Sequence, residues 1–225
     1  PQLEQVAFAG RRIFASYLEN AASRLCEYDA DGKLLREIEL PGIGTVYGIG
    51  GEWRGSECFF GFTSFFVPQT VYRLDVGTDR VDVYDRILSP VDASRYEAEQ
   101  VWYRSKDGTP VPMFVIRGKE TVLDGKSPAI LYGYGGFDIP LTPGFSKTII
   151  PWLEMGGIYA IANLRGGGEF GEDWHRAGML EKKQNVFDDF IAAAEYLVRE
   201  KITRPERLAI SGGSNGGLLV GAAVV

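Results

Sequence analysis

Histidine and cysteine are scarce in this sequence of 225 residues, which has one histidine and two cysteines. Histidine, cysteine and carboxylate residues do not cluster at the spacing of metal ligands, so we predict neither a metal site nor a cofactor. Cys26 and Cys58 both lie in apolar, strand-like runs. A disulfide between them is open in principle, but so few thiols are typical of a reducing compartment. We therefore predict two buried free thiols.

Positive charge and long apolar runs are also in short supply. The net charge is -6 and no basic patch is available to pair with phosphates, which argues against a nucleic-acid partner. The longest apolar run, at 218–225, is interrupted only by Gly221 and is far too short to span a bilayer. We expect a soluble protein without a membrane partner. We expect it in the cytoplasm, or in the periplasm if a longer parent carries a signal peptide.

The first 85 residues alternate short β-like runs with turn signals. This spacing predicts antiparallel meanders, and Asp31-Gly32 between two runs predicts a hairpin with a two-residue turn. Two four-strand groups, at about residues 5–40 and 45–85, resemble successive blades of a β-propeller, a repeat of roughly 40 to 50 residues. A single small β-sandwich is the alternative.

After Ser89-Pro90 the pattern becomes α/β, with a hairpin around Asp107-Gly108. Buried parallel strands are predicted at 128–131, 158–164 and 208–210, each followed by a glycine-rich loop. A helix is predicted between the last two strands, and together they predict a right-handed βαβ crossover.

The apolar residues of this helix recur at helical spacing and predict one core-facing stripe. They are Phe187, Phe190, Ile191, Ala194, Leu197 and Val198. Asn185 followed by Asp188 predicts the helix cap, and Arg204-Pro205 marks a break after its end.

A Gly-x-Ser-x-Gly turn centred on Ser214 follows the last predicted strand, a pattern typical of a nucleophile elbow. The backbone of such a turn is strained and needs small neighbours, which are Gly212, Gly213, Gly216 and Gly217. A helix is predicted from Leu218 onward, and its free amides would favour a developing negative charge at the serine.

The partners of Ser214 are expected beyond residue 225. In an α/β-hydrolase the order along the chain is serine, then aspartate or glutamate, then histidine. His175 lies upstream of Ser214, so we predict a structural or loop role for it. The start at Pro1 without an initiator methionine also favours a fragment of a longer polypeptide. We expect this fragment alone to be inactive, because a nucleophile without its base loses most of its rate advantage.

Two other glycine-rich patterns lead to weaker hypotheses. Residues 166–171 satisfy Gly-x-Gly-x-x-Gly after a strand, but Glu169 and Glu172-Asp173 would repel a pyrophosphate. Residues 212–217 have the spacing of a phosphate loop, but Leu218 stands where its lysine should be, which excludes a Walker loop.

An ordered set of motifs resembles the prolyl oligopeptidase family of serine peptidases along essentially the whole chain. The motifs are Phe62-Thr63-Ser64-Phe65, Ser105-Lys106-Asp107-Gly108, Tyr132-Gly133-Tyr134-Gly135-Gly136-Phe137, Asn163-Leu164-Arg165-Gly166-Gly167-Gly168-Glu169-Phe170-Gly171, Trp174-His175, Lys183-Gln184-Asn185, Phe187-Asp188-Asp189-Phe190 and Gly212-Gly213-Ser214-Asn215-Gly216-Gly217.

The resemblance implies a partial α/β-hydrolase preceded by the last blades of a β-propeller. Residues 1–85 would be the C-terminal blades of a seven-bladed propeller that covers the hydrolase domain. Residues 86–225 would be the N-terminal half of the main catalytic segment. It also implies a full-length monomer that hydrolyses short proline-containing peptides on the carboxyl side of proline.

The resemblance further implies site residues. Ser214 would be the nucleophile that forms the acyl-enzyme. The backbone N–H of Asn215 and the hydroxyl of Tyr134 would hold the oxyanion, and such donors are worth roughly 3 to 4 kcal/mol of barrier. Phe137 would line the substrate pocket. Without the resemblance, Tyr134 and Phe137 are interpreted as ordinary core or loop aromatics.

Two alternative functions remain at this point. Oligopeptidase B, which cleaves after basic residues, usually has a small residue after its serine, so Asn215 favours the proline-specific branch. A catalytically dead hydrolase that serves as an interaction module is the alternative from another class.

Arg165 and Glu169 are interpreted either as substrate-orienting groups or as an ion pair that holds the loop. Asp188 and Asp189 are interpreted as acids of a helix start rather than the triad acid.

Overall fold

The computed structural model describes residues 1–225, which divide into two compact units. The first unit contains residues 1–91 and 142–145, and the second contains residues 92–141 and 146–225. None of the helices is both long enough and apolar enough to cross a membrane.

Two four-stranded antiparallel sheets form the first unit, and the strands of each sheet are hydrogen-bonded in chain order. The first sheet consists of β1 (Gln2–Ala9), β2 (Arg12–Glu19), β3 (Ala22–Tyr28) and β4 (Leu34–Ile38). The second sheet consists of β5 (Thr45–Gly51), β6 (Glu57–Thr63), β7 (Thr70–Asp75) and β8 (Val81–Arg86). Sequential four-stranded meanders are the unit of a β-propeller, so the two predicted blades are confirmed.

Both sheets contribute to one buried apolar core. Its members are Ala9, Phe14, Leu25, Ile38, Val46, Ile49, Cys58, Phe60, Phe62 and Leu74. Cys26 and Cys58 are buried and unpaired, as predicted. Burial raises the pKa of Cys58 to about 12, so its thiol stays protonated and unreactive at neutral pH.

The hairpin at Asp31-Gly32 joins β3 to β4, but the connection is longer than the two residues predicted. It runs from Asp29 to Lys33, and Gly32 adopts a φ of 83°. The carboxylate of Asp29 accepts hydrogen bonds from the backbone N–H groups of Asp31 and Lys33. The connection therefore includes Asp29 and Ala30 before the Asp-Gly pair and Lys33 after it, which a dipeptide rule does not detect.

A five-stranded mixed sheet is the centre of the second unit, with strand order β13-β11-β12-β10-β9. Its strands are β9 (Tyr96–Arg104), β10 (Pro110–Gly118), β11 (Ala129–Gly133), β12 (Ile158–Ala162) and β13 (Leu208–Ser211). β11 pairs in parallel with both β12 and β13, as predicted, whereas β10 is antiparallel to its neighbours. The connection from β12 to β13 therefore passes across β11. The prediction that β13 is buried is wrong for this chain, in which its residues are partly buried or exposed.

The long helix of that connection is α3 (Gln184–Arg199), and its buried stripe differs from the predicted one. The buried positions are Val186, Asp189, Phe190, Ala193 and Leu197, whereas Ile191 is 41% exposed. The predicted cap is also wrong, because Asn185 lies inside the helix and its side chain donates to the carbonyl oxygen of Ala177. The buried face of α3 includes Asp189, an acid that is not counted when a helix face is predicted from the spacing of its apolar residues.

Three shorter helices complete the second unit: α1 (Ile149–Glu154), α2 (Glu172–Arg176) and α4 (Asn215–Ala223). α4 begins directly after Ser214 rather than at Leu218 as predicted. The glycines at 216 and 217 thus form the first turn of a helix, a place where glycine is normally unfavourable.

Candidate active site

Ser214 lies on a sharp turn between β13 and α4. Its φ of 53° and ψ of -116° are unusual for a residue with a side chain and cost on the order of 1–3 kcal/mol. A Cβ atom on Gly212 would lie 2.4 Å from the carbonyl oxygen of Gly216, and one on Gly216 would lie 2.6 Å from that of Gly133. The turn therefore requires glycine at these two positions.

The other two glycines of the motif have space for a side chain. A Cβ atom on Gly213 or Gly217 would meet nothing within 4 Å in this chain. The prediction that all four glycines are needed for space is therefore wrong for this pair. Backbone hydrogen bonds close the turn, from Gly216 N–H to the Gly213 oxygen and from Gly217 N–H to the Ser214 oxygen.

The loop after β11 lies beside this turn. β11 and β13 are parallel neighbours, so their carboxyl ends, at Gly133 and Ser211, meet at the same edge of the sheet. The side-chain amide of Asn215 donates to the backbone oxygen of Tyr134 at 2.5 Å. The structure thus brings the two predicted oxyanion residues, Asn215 and Tyr134, together next to Ser214.

Phe137 follows in the same loop with a φ of 57°. Its side chain is 72% exposed, which excludes the interpretation of this aromatic as a core residue. Tyr134 is partly buried, and its backbone rather than its ring carries the contact to Asn215.

Lys183 is a member of this site that residue-by-residue reasoning missed. Its ammonium donates to the backbone oxygen of Gly135 at 2.7 Å and to Oδ1 of Asn215 at 3.2 Å. Burial lowers the pKa of the ammonium. The only signal in the sequence was the Lys183-Gln184-Asn185 motif of the family, to which no functional role was assigned.

Arg165 forms the centre of a polar network in which Arg165 and Asp189 are buried and Asp107 is exposed. Its guanidinium donates to Asp189 at 2.6 Å from Nη2 and at 3.0 Å from Nε, and to Asp107 at 2.6 Å from Nη1. Burial opposes its positive charge, but the hydrogen bonds to Asp189 and Asp107 raise the pKa of Arg165 overall. Hydrogen bonding from Arg165 lowers the pKa of Asp107 to about 2. The network joins the hairpin at 105–109, the loop after β12 and helix α3.

Similarity to known proteins identifies the family of this chain. Residues 1–86 match the model for the prolyl oligopeptidase N-terminal β-propeller domain, and residues 143–225 match the model for the prolyl oligopeptidase family. The chain belongs to the prolyl oligopeptidase family. Its fold class is therefore the family's β-propeller domain followed by the α/β-hydrolase region, as the sequence predicted.

Several relatives cover nearly all of this chain. A prolyl endopeptidase from Elizabethkingia miricola is 47% identical over 218 residues, which is 97% of this chain and 31% of that protein. A solved prolyl endopeptidase structure is 49% identical with a TM-score of 0.91, over 98% of this chain and 33% of the other. The chain thus spans about a third of the length of the curated relatives it matches.

Prolyl oligopeptidase B from Galerina marginata is a third relative. Its structure with a bound 25-residue macrocyclization substrate is 40% identical to this chain, with a TM-score of 0.91 over 99% of this chain and 31% of the other. Structures of that protein carry an aspartate, a histidine or a serine replaced by alanine.

Glu169, in one of the family motifs, does not form the ion pair with Arg165 that was one of its two interpretations. Its Oε1 accepts hydrogen bonds from the Leu141 N–H at 2.9 Å and from the Asn163 side-chain amide at 3.3 Å. Asp189 takes the place of Glu169 as the buried partner of Arg165. The Asn163 amide also donates to the Leu141 oxygen, so two buried side chains hold both backbone groups of one residue.

Burial raises the pKa of Glu169 to about 7. An unfolded chain releases this proton near pH 4.5, so the folded protein holds more protons between pH 4.5 and pH 7. The stabilising contribution of the protonated acid is complete below pH 4.5 and is lost as the pH rises through 7. We expect Glu169→Gln, which mimics the protonated acid, to unfold at higher urea concentration than the original protein at pH 8.

The expected gain at pH 8 is about 3 kcal/mol, with little difference at pH 4.5. The measurement is urea unfolding of the protein at a series of pH values. Glu181→Gln, at an exposed position, is the matched control and should leave the pH dependence unchanged. Parallel stability curves for Glu169→Gln and the original protein would contradict the assignment.

His175 lies in α2, where its Nδ1 is 3.5 Å from Glu172 Oε2. With Asp138 these residues form a group whose ligand atoms all lie within 4.8 Å of one another, an arrangement that could accept a divalent cation. The sequence rule missed this group because the fold alone brings Asp138 to it. Glu172 already accepts a hydrogen bond from Arg176, which supplies a positive charge without a metal.

A cavity of about 750 Å³ also opens on the second unit, away from these residues. Charges of both signs line it, from Arg95, Lys119, Glu120, Asp124, Lys126 and Glu154. None of the predicted site residues lines this cavity, so it is not part of the site around Ser214.

Proposed function

We propose that this chain is part of a serine endopeptidase that hydrolyses short peptides on the carboxyl side of proline. The observation that carries the proposal is the strained turn of Ser214, with Asn215 tying the Tyr134 loop against it. Names of the relatives support the same activity, since two of the three are prolyl endopeptidases. The working enzyme would be a longer polypeptide, called the full-length protein below, because its relatives are about three times as long.

In the proposed mechanism, Ser214 Oγ attacks the carbonyl carbon of the scissile bond while a histidine base takes its proton. The tetrahedral oxyanion accepts hydrogen bonds from the backbone N–H of Asn215 and from the Tyr134 hydroxyl. Collapse of the intermediate breaks the C–N bond, and the histidine gives its proton to the leaving amine. Water then repeats these steps on the acyl-enzyme to release the acid and regenerate Ser214.

Asn215 suits the N–H role because it is the first residue of α4. Backbone N–H groups of a first helical turn have no acceptor within the helix and carry the positive end of its dipole. The histidine and its aspartate would come from the remainder of the full-length protein. The serine, aspartate and histidine replaced in the Galerina relative are consistent with such a triad.

Phe137 is the proposed contact for the proline ring of the substrate. Its aromatic side chain is exposed, and a flat apolar surface suits the ring of proline. We further propose that residues 1–85 are the last blades of a seven-bladed propeller and residues 86–225 the first half of the catalytic segment. The full-length protein would be a cytoplasmic monomer.

The test is hydrolysis of fluorogenic peptides by the full-length protein, with either proline or arginine before the reporter group. We expect cleavage after proline that disappears in Ser214→Ala. Cleavage after arginine instead would move the protein to the basic-specific branch, and no Ser214-dependent cleavage of either peptide would favour a catalytically dead interaction module.

A further inference from the structure

We propose that Lys183 is a positioning residue that holds the oxyanion donors in place, acting through Asn215 and the loop after β11. The inference rests on the proposed function of Ser214 and adds a residue to its machinery. Lys183 has no proposed contact with the substrate, so its effect would be exerted on Tyr134 and Asn215.

Three hydrogen bonds connect the parts of this clamp, defined as Lys183, Asn215, Tyr134 and Gly135. The Lys183 ammonium bonds the Gly135 oxygen and Asn215 Oδ1, and the Asn215 amide bonds the Tyr134 oxygen. Two consecutive carbonyl groups of the loop are therefore held by two side chains. Lys183 directly precedes α3 and Asn215 is the first residue of α4, and both helices pack against the core of the sheet.

The loop after β11 has little space for a different backbone conformation. Gly135 has a φ of 61°, and a Cβ atom there would lie 2.3 Å from Val186. A Cβ atom on Gly136 would lie 2.6 Å from the Asn215 amide nitrogen. The loop can therefore approach α3 and Asn215 this closely only with glycine at these two positions.

Lys183 does not act as a conventional cap of its own helix. It lies where the 3-10 turn at 180–182 continues into α3, with helical backbone angles and no side-chain capping hydrogen bond. A positive charge at the start of α3 opposes the dipole of that helix. The ammonium instead donates to two neutral oxygens across the site. A cation placed there and bonded to the active-site loop fits a functional requirement better than a local one.

The experiment compares Lys183→Met with the original full-length protein. Methionine keeps the unbranched stem and removes the ammonium, so the loop loses its hydrogen-bond donor but not its packing. We expect kcat to fall by about 10- to 100-fold with KM changed by less than about threefold, because misplacement near 1 Å acts on the transition state. The rate at which a fluorophosphonate labels Ser214 should fall by a similar factor.

Three further variants separate positioning from general structural damage. Lys183→Arg should recover part of kcat, because it restores a cationic donor. Asn215→Ala, which keeps its backbone N–H, should lower kcat, and combining it with Lys183→Met should add little, since both remove one clamp. Lys182→Met, at the exposed neighbouring position, should behave as the original protein.

Two outcomes would overturn the inference. One is a Lys183→Met protein with unchanged kcat and unchanged labelling. The other is a loss of kcat that follows only a loss of folded protein and that Lys183→Arg does not recover. Failure of the proposed function is a separate result, since it would appear as the absence of Ser214-dependent cleavage after proline in the original full-length protein.

Discussion

Replacement of Ser214 by alanine is expected to lower kcat of the full-length protein by about a millionfold, which is the loss seen when a serine nucleophile is removed from a related triad. Substrate affinity should change little, since the truncation removes one oxygen and no proposed pocket contact.

The matched control is Ser211→Ala, three residues earlier at the end of β13, where the serine is also exposed. It should keep the activity of the original protein. Steady-state kinetics with a proline reporter peptide and labelling by a fluorophosphonate provide two independent measurements. A Ser214→Ala protein with more than about a hundredth of the original kcat would contradict the assignment of the nucleophile.

Loss of the Arg165 guanidinium is expected to produce the largest change in stability. Arg165→Met should lower the free energy of unfolding by about 3 to 5 kcal/mol, because it leaves the carboxylate of Asp189 buried without a partner. Asp189 has no exposed surface, and its side chain also accepts the backbone N–H of Arg165. Urea unfolding of the full-length protein measures the effect.

A second substitution tests the cause. Arg165→Met combined with Asp189→Asn removes the buried charge but keeps an acceptor for the Arg165 N–H, so it should recover most of the loss. Arg199→Met, which breaks an exposed ion pair with Glu200, should cost less than about 1 kcal/mol. Equal losses for the single and double variants would show that packing rather than an unpaired charge is responsible.

Acid should weaken the same network. The pKa of Asp107 is lowered to about 2 by its hydrogen bond with Arg165, against an ordinary value of 3.8. Its contribution to stability is therefore present above pH 3.8 and is lost as the pH falls through 2. This dependence has the opposite sign to that of Glu169, whose stabilising proton is lost as the pH rises.

The features of the fold and the site that can be predicted from the sequence are those that depend on residues close together in the chain. The strands follow from apolar runs between turn signals, and the turn at Ser214 follows from a motif in which Gly212 and Gly216 have no room for a side chain. The prediction of the buried face of α3 was wrong because it depends on a contact between distant residues. Counting apolar residues gave no place to Asp189, although that acid faces the core to meet Arg165.

Local spacing and ordered motifs are enough to predict the order of the blades and α/β elements, the position of Ser214 and the family. Which charged side chains pair with one another depends on the folded chain. Asp189 rather than Glu169 pairs with Arg165, and Lys183 reaches a loop 48 residues away in sequence. Such pairings depend on which strand ends share an edge of the sheet, and the burial that makes Glu169 hold its proton exists only once the chain has folded around it.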